Sequence, residues 1–215
     1  MAMQPVETTI YSFSDSPPRV PTEDRREGGD RLTTLYRVGS LSIAERRELC
    51  LIKNISAGGM MVRAYCAIAE GTPVSVILKC GQPIAGVVSW SRDVHLGIRF
   101  DHPIDVIDLL STSMDGPQPR MPRIEVAAMV TLREGASTYR LRLCDISQGG
   151  LKMRCEADFA AGNDVVVTLA GIEPQPGVVR WTHGDHVGIT FNCMLALPVL
   201  VEWLRWQRDS GPDSI

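Results

Sequence analysis

The chain has no apolar run approaching the roughly 20 residues that a membrane-crossing helix requires. Its opening stretch, MAMQPVETTIYSFSDSPPRVPTEDRREGGDR, is polar and Pro-rich where a secretory leader would carry an apolar block. A cytoplasmic protein without a membrane span is therefore expected. Cysteine pairs at metal-binding or redox spacing are also missing. Cys50, Cys66, Cys80, Cys144, Cys155 and Cys193 are scattered through mostly apolar contexts, which predicts reduced core thiols and neither disulfides nor zinc. Charge of one sign is scarce too: the net charge is −3, too little positive excess for a broad DNA- or RNA-binding face. A small anion held by a local arginine cluster is not excluded. No GxSxG elbow, phosphate-binding GxxxxGK[ST] loop, GxGxxG turn or assignable carboxylate pair occurs, so an enzyme is not expected and no cofactor is called for. His183 and His186 lie near Asp185 in THGDH, but on a short turn with no further ligand in view they read as an exposed hairpin and not a metal site.

What is present is a duplication. A shift of 91 residues carries Asn54 to Asp145, Ser56 to Ser147, Gly58 to Gly149, Gly59 to Gly150 and Arg63 to Arg154. The same shift lays GVVSWSRDVHLGIRF on GVVRWTHGDHVGITF, matching Trp90 with Trp181, His95 with His186 and Gly97 with Gly188. Agreement without a gap from Asn54 to Phe100 means two copies of one domain, and two copies at so long a period argue against a solenoid. The boundaries expected are a segment 1–24, a first domain 25–114, a linker 115–119 reading DGPQP, a second domain 120–208 and a tail 209–215.

Each copy alternates apolar and polar residues in short runs, such as TTLYRVGSLSI, TPVSVILK and HLGIRF in the first and DVVVTLA and HVGITF in the second. This is the writing of antiparallel strands. Each ends in a helical signal, with Pro103 at a helix start and Val106, Ile107 and Leu110 on one side. Pro198 opens the second, followed by Val199, Leu200, Trp203, Leu204 and Trp206. The expected fold is mainly β: two tandem six-stranded antiparallel barrels, each with a C-terminal helix that closes or flanks one end. The second helix covers its own barrel, or docks a partner or a second copy of the chain as a homodimer.

NISAGG and DISQGG stand between consecutive strands of their copies. Turn chemistry explains part of this: Asn or Asp two residues before Ser forms local turns, and Gly59 or Gly150 supplies a positive φ. Two side-chain acceptors kept at matched offsets beside an arginine-rich entry are left over.

The pattern resembles the PilZ domain, whose signature is RxxxR before the first strand and [D/N]xSxxG between the second and third. Asn54, Ser56 and Gly59 complete the turn in the first copy, and Asp145, Ser147 and Gly150 in the second. The resemblance covers about Arg25 to Met114 and Arg120 to Gln207. It implies a receptor for cyclic di-GMP that changes conformation on binding and regulates a partner protein. It also implies ligand contacts from Arg25, Arg26, Arg31, Asn54, Ser56, Gly58 and Gly59 in the first copy, and from Arg120, Arg123, Asp145, Ser147, Gly149 and Gly150 in the second. The residue types suit such a ligand, since guanidinium groups both fork onto phosphate oxygens and stack on purines.

The arginine segments depart from the family pattern. Four residues before Arg31 stands Glu27, and four before Arg123 stands Pro119; the neighbouring arginines are displaced, Arg26 and Arg25 by one and two residues and Arg120 by one. Gly28 and Gly29 make the first loop permissive, while Pro119 and Pro122 stiffen the second, so the first copy is the better ligand site. The alternative is a degenerate PilZ adaptor that works through protein contacts and binds no nucleotide.

Overall fold

The computed structural model describes residues 33–78, 83–111 and 121–210. In the first copy β1 (Thr33–Ile43), β2 (Arg46–Ser56), β3 (Gly59–Arg63), β4 (Pro73–Ile77), β5 (Ile84–Arg92) and β6 (His95–Phe100) precede α1 (Val106–Ser111). The second copy repeats the order as β7 (Ile124–Glu134), β8 (Ser137–Ser147), β9 (Gly150–Arg154), β10 (Asp164–Thr168), β11 (Gln175–His183), β12 (His186–Phe191) and α2 (Leu197–Asp209). Each set closes into an antiparallel barrel of identical order, β1-β2-β3-β6-β5-β4 and its copy.

Period-two alternation builds these walls. Along β6, Leu96, Ile98 and Phe100 are buried while Arg99 faces out. The first barrel is filled by Leu41, Ile52, Ile55, Val62 and Val76, and the second by Leu132, Leu143, Ile146, Leu151 and Val167, none of them measurably exposed beyond 1 %. Each such side chain contributes about 1.5–3 kcal/mol of transfer free energy, and closure leaves no sheet edge. A bulge recurs where the wall bends: Trp90 pairs with Gly97 after a register shift in β5, as Trp181 does with Gly188 in β11.

The helices differ from the sequence expectation. α1 begins at Val106 and not at Pro103, because the Asp105 carboxylate accepts the Ile107 and Asp108 N–H groups at 2.9 and 3.0 Å. Val106, Leu109 and Leu110 pack on the first core, while Ile107 is 80 % exposed and does not share their side. In α2 the buried stripe is Leu197, Leu200, Val201, Trp203 and Leu204; Val199 and Trp206 turn outward. The Trp203 indole N–H donates to the Ala170 carbonyl at 3.0 Å, which satisfies its one polar atom.

The barrels also pack on each other. Val38, Leu49, Leu51 and Tyr65, on the outside of the first barrel, join the hydrophobic cluster of the second. Beside them the buried Glu48 carboxylate accepts from both ends of the Arg208 guanidinium on α2, the Nη2 contact measuring 3.1 Å, and forms an ion pair with Arg46 Nε at 3.2 Å. The C-terminal helix therefore covers its own barrel and simultaneously grips the other.

The thiols need one correction. Cys50 and Cys155 are buried, but Cys66 and Cys144 are half-buried and Cys193 is exposed; Cys80 lies outside the described residues. Full burial, only partly opposed by a hydrogen bond involving the Gly39 backbone, pushes the Cys50 thiol up to about 12.

Candidate ligand-binding site

The repeated turn forms the corner between β2 and β3. Ala57 and Gly58 join the strands, with Ser56 opposite Gly59 and Asn54 opposite Met61 across a register shift. Ser56 Oγ donates to the Gly59 carbonyl at 3.3 Å, and the Met61 N–H donates to Asn54 Oδ1 at 3.2 Å. That bond pins the amide oxygen to the strand and directs the amide NH₂ away from it. The Phe100 N–H donates to the Gly58 carbonyl and the Ile104 N–H to Ala57, so the turn is tied to the segment leading into α1.

Gly59 does not use left-handed backbone, contrary to the sequence reading. It is needed for close approach: a Cβ there would lie 2.5 Å from the Ile98 carbonyl oxygen. Gly150 does have a positive φ, 156°, and a Cβ there would collide with the Ile189 carbonyl in the same way.

A pocket of ≈430 Å³ opens at the first corner, lined by Asn54, Ser56, Gly58 and Gly59 together with Trp90 and Arg99. The volume lies within the range of small-molecule sites. Four of the seven residues assigned to the first copy thus come together. Arg25, Arg26 and Arg31 lie outside the described residues, as does Arg120 of the second copy.

Trp90, Arg99 and Ser89 were not anticipated as part of the site. The half-exposed Trp90 indole lies across Gly97, where any Cβ would enter the ring, and the Arg92 guanidinium sits 5.9 Å from the ring centre. The Trp and Gly pairing recurs in both copies at the common shift, and that was the available signal.

The second corner has the same backbone but different chemistry. Ser147 Oγ donates to the Gly150 carbonyl at 3.1 Å, and the Phe191 N–H donates to Gly149. Where the first copy has Asn54 opposite Met61, the second has Asp145 opposite Lys152. The Asp145 carboxylate is almost wholly buried and receives Arg123 Nη1 at 2.7 Å and Lys152 Nζ at 3.3 Å. Met121 covers Gly149, its sulfur 3.5 Å from where a Cβ would stand. Five of the six residues assigned to this copy are thus described, and Arg123 and Asp145 are paired with each other. In the hairpin beyond, Asp185 binds Arg154 Nε at 2.7 Å and His186 Nδ1 at 2.8 Å.

The family model described as "PilZ domain" matches residues 23–112 and again 118–198. The chain belongs to the PilZ family. Both PilZ copies are covered, and with them both corners. The chain resembles the crystal structure of the Borreliella burgdorferi PlzA protein in complex with c-di-GMP, at 13% identity over 79% of this chain and 87% of that one, with a TM-score of 0.37. It is also similar to the Bacillus subtilis inhibitor of motility MotI/DgrA (15% identity, 82% and 99% coverage, TM-score 0.34). A third likeness is to Escherichia coli YcgR in complex with c-di-GMP (15% identity, 81% and 83% coverage, TM-score 0.31). A comparison with curated proteins finds no match.

Proposed function

We propose that this PilZ protein is a non-enzymatic cytoplasmic receptor that binds cyclic di-GMP at the corner of its first domain, spanning about 25–114, and regulates a partner protein. The observation that carries the reading is the chemistry of the two corners: the described lining of the first pocket carries Asn54, Ser56, Trp90 and Arg99 and no carboxylate, whereas Asp145 of the second is already paired with Arg123 and Lys152. A ligand with two phosphates is favoured where the described lining residues include Arg99 and no acid.

In this reading Arg25, Arg26 and Arg31 supply guanidinium forks to the phosphates and flat cations to the guanine faces. Asn54 offers its amide NH₂ and Ser56 its hydroxyl to guanine edges, and the bare backbone at Gly58 and Gly59 allows contact without a Cβ. The Trp90 ring provides a stacking face, of a kind worth about 1–3 kcal/mol per base. Binding draws the arginine segment onto the barrel, and the partner reads the new surface. The second domain, about 120–208, acts through protein contacts without nucleotide, because binding there would first have to break the Arg123–Asp145 pair.

Isothermal titration of the full chain with cyclic di-GMP tests this. Arg31→Ala and Trp90→Ala are expected to weaken binding at least about tenfold each. Asp145→Asn should leave it unchanged. Absence of heat at high ligand concentration, or loss of binding in Asp145→Asn alone, rejects the first-domain assignment.

A further inference from the structure

The first barrel uses a particular outer face to receive its neighbour. Val38 on β1 and Leu49 and Leu51 on β2 pack against the second barrel's cluster, next to α2. The duplication makes the corresponding face of the second barrel identifiable. Val38 stands opposite Leu51 and Ser40 opposite Leu49; at the shift of 91, Met129 stands opposite Arg142 and Thr131 opposite Arg140. Three apolar docking residues have thus become Met129, Arg140 and Arg142, all exposed.

Neighbouring charges are largely answered within the chain. Arg154, across the ladder from Arg142, binds Asp185; Lys152 and Arg123 share Asp145; Arg133 donates to the Gly135 carbonyl. Glu125 shares a shallow pocket with Arg142. The guanidinium groups of Arg140 and Arg142 have no ion-pair or hydrogen-bond partner among the described residues.

We propose that this outer face of β7 and β8, centred on Arg140 and Arg142, docks an acidic helix of a partner protein. The inference rests on the adaptor part of the function proposed above and names where and by what chemistry the partner is met. Spacing supports a helix: alternate residues of a strand lie about 6.8 Å apart, and carboxylates at i and i+4 of a helix about 6 Å along its axis. Met129 adds an adaptable apolar contact beside the two cations. Two unanswered arginines on a chain of net charge −3 are few against the roughly 6–10 phosphates that a DNA-binding face neutralises. A second copy docking through α2 is disfavoured, because its apolar stripe is already buried and its exposed charges, Glu202, Arg205, Arg208 and Asp209, include no carboxylate pair at i and i+4.

The test is fluorescence anisotropy of the full chain with a labelled alanine-based helical peptide carrying Glu at i and i+4. Binding is expected to fall with salt and to weaken about tenfold or more in the double variant Arg140→Glu, Arg142→Glu. That variant should instead bind the same peptide with Lys in place of Glu. Its circular dichroism and cyclic di-GMP titration should match those of the parent chain, so a nucleotide result of either sign leaves the docking result readable. Absence of peptide binding, equal binding by parent and double variant, or tighter binding of duplex DNA or phosphatidylserine vesicles than of the peptide overturns the proposal.

Discussion

At the residue scale the duplication works as an internal control, because the same backbone position carries different side chains in the two copies. The two-residue hairpin turns show this. Ala44 and Asp93 take φ of 50° and 52° in the first barrel, and their counterparts Gly135 and Gly184 take 54° and 56°. Only glycine adopts such a φ without a Cβ penalty. Ala44→Gly is therefore expected to stabilise the first barrel by about 0.5 kcal/mol, the relief of strain exceeding the added freedom of the unfolded chain. Gly135→Ala should cost the second about 1 kcal/mol. Urea unfolding followed by circular dichroism reads both, and a loss on Ala44→Gly would contradict the argument. The corners obey the same logic. Asn54 against Met61 puts no charge on the turn of the first corner, whereas Asp145 against Lys152 makes an ion pair that recruits Arg123.

At the scale of elements, strands were the most legible part of the sequence. β1 and the last strand of each copy, β6 and β12, coincide with the alternating runs, because a strand with one face on a core must repeat every two residues. Helices were less legible. Apolar spacing in α1 placed Ile107 with Val106 and Leu110, but the Asp105 cap sets a later start and turns Ile107 to solvent. In α2 the anchor is Trp203, 4 % exposed and hydrogen-bonded to Ala170, and not Trp206. Trp203→Ala is expected to destabilise the second barrel by about 3–5 kcal/mol. Trp206→Ala should cost well under 1.5 kcal/mol in the same thermal or urea melt. Similar losses from the two variants would mean that the helix packs by another face.

At the scale of the whole molecule, α2 links the barrels through Arg208 and the buried Glu48, 160 residues away in the chain. Placing a carboxylate against Glu48 by Arg208→Glu is expected to separate the barrels, seen as a larger radius of gyration in small-angle scattering, at a stability cost of about 2 kcal/mol, below that of a fully buried pair because Arg208 is partly exposed. Exchanging both charges, Glu48→Arg with Arg208→Glu, should restore only part of the compactness, because Arg46 stands beside position 48. An unchanged radius of gyration in Arg208→Glu would show that the apolar seat of Leu49 and Leu51, and not the ion pair, holds the barrels together. β2 carries this seat at one end and the Asn54 corner at the other, so the candidate ligand site and the inter-barrel contact share one strand.

Sequence alone determined that there are two copies, that each is a small antiparallel barrel, and that the polar turn recurs between matched strands. All of these follow from local periodicity and from a repeat at constant spacing. Only the tertiary structure decided that Asp145 is paired at the second corner, that Trp90 borders the first, and which outer face of the first barrel is spent on the second. The reason is physical: Arg123 with Asp145, Trp90 with Gly97 and Glu48 with Arg208 meet through strand register and packing. Charge pairing and close approach depend on distances between strands and helices that no local pattern of residues specifies.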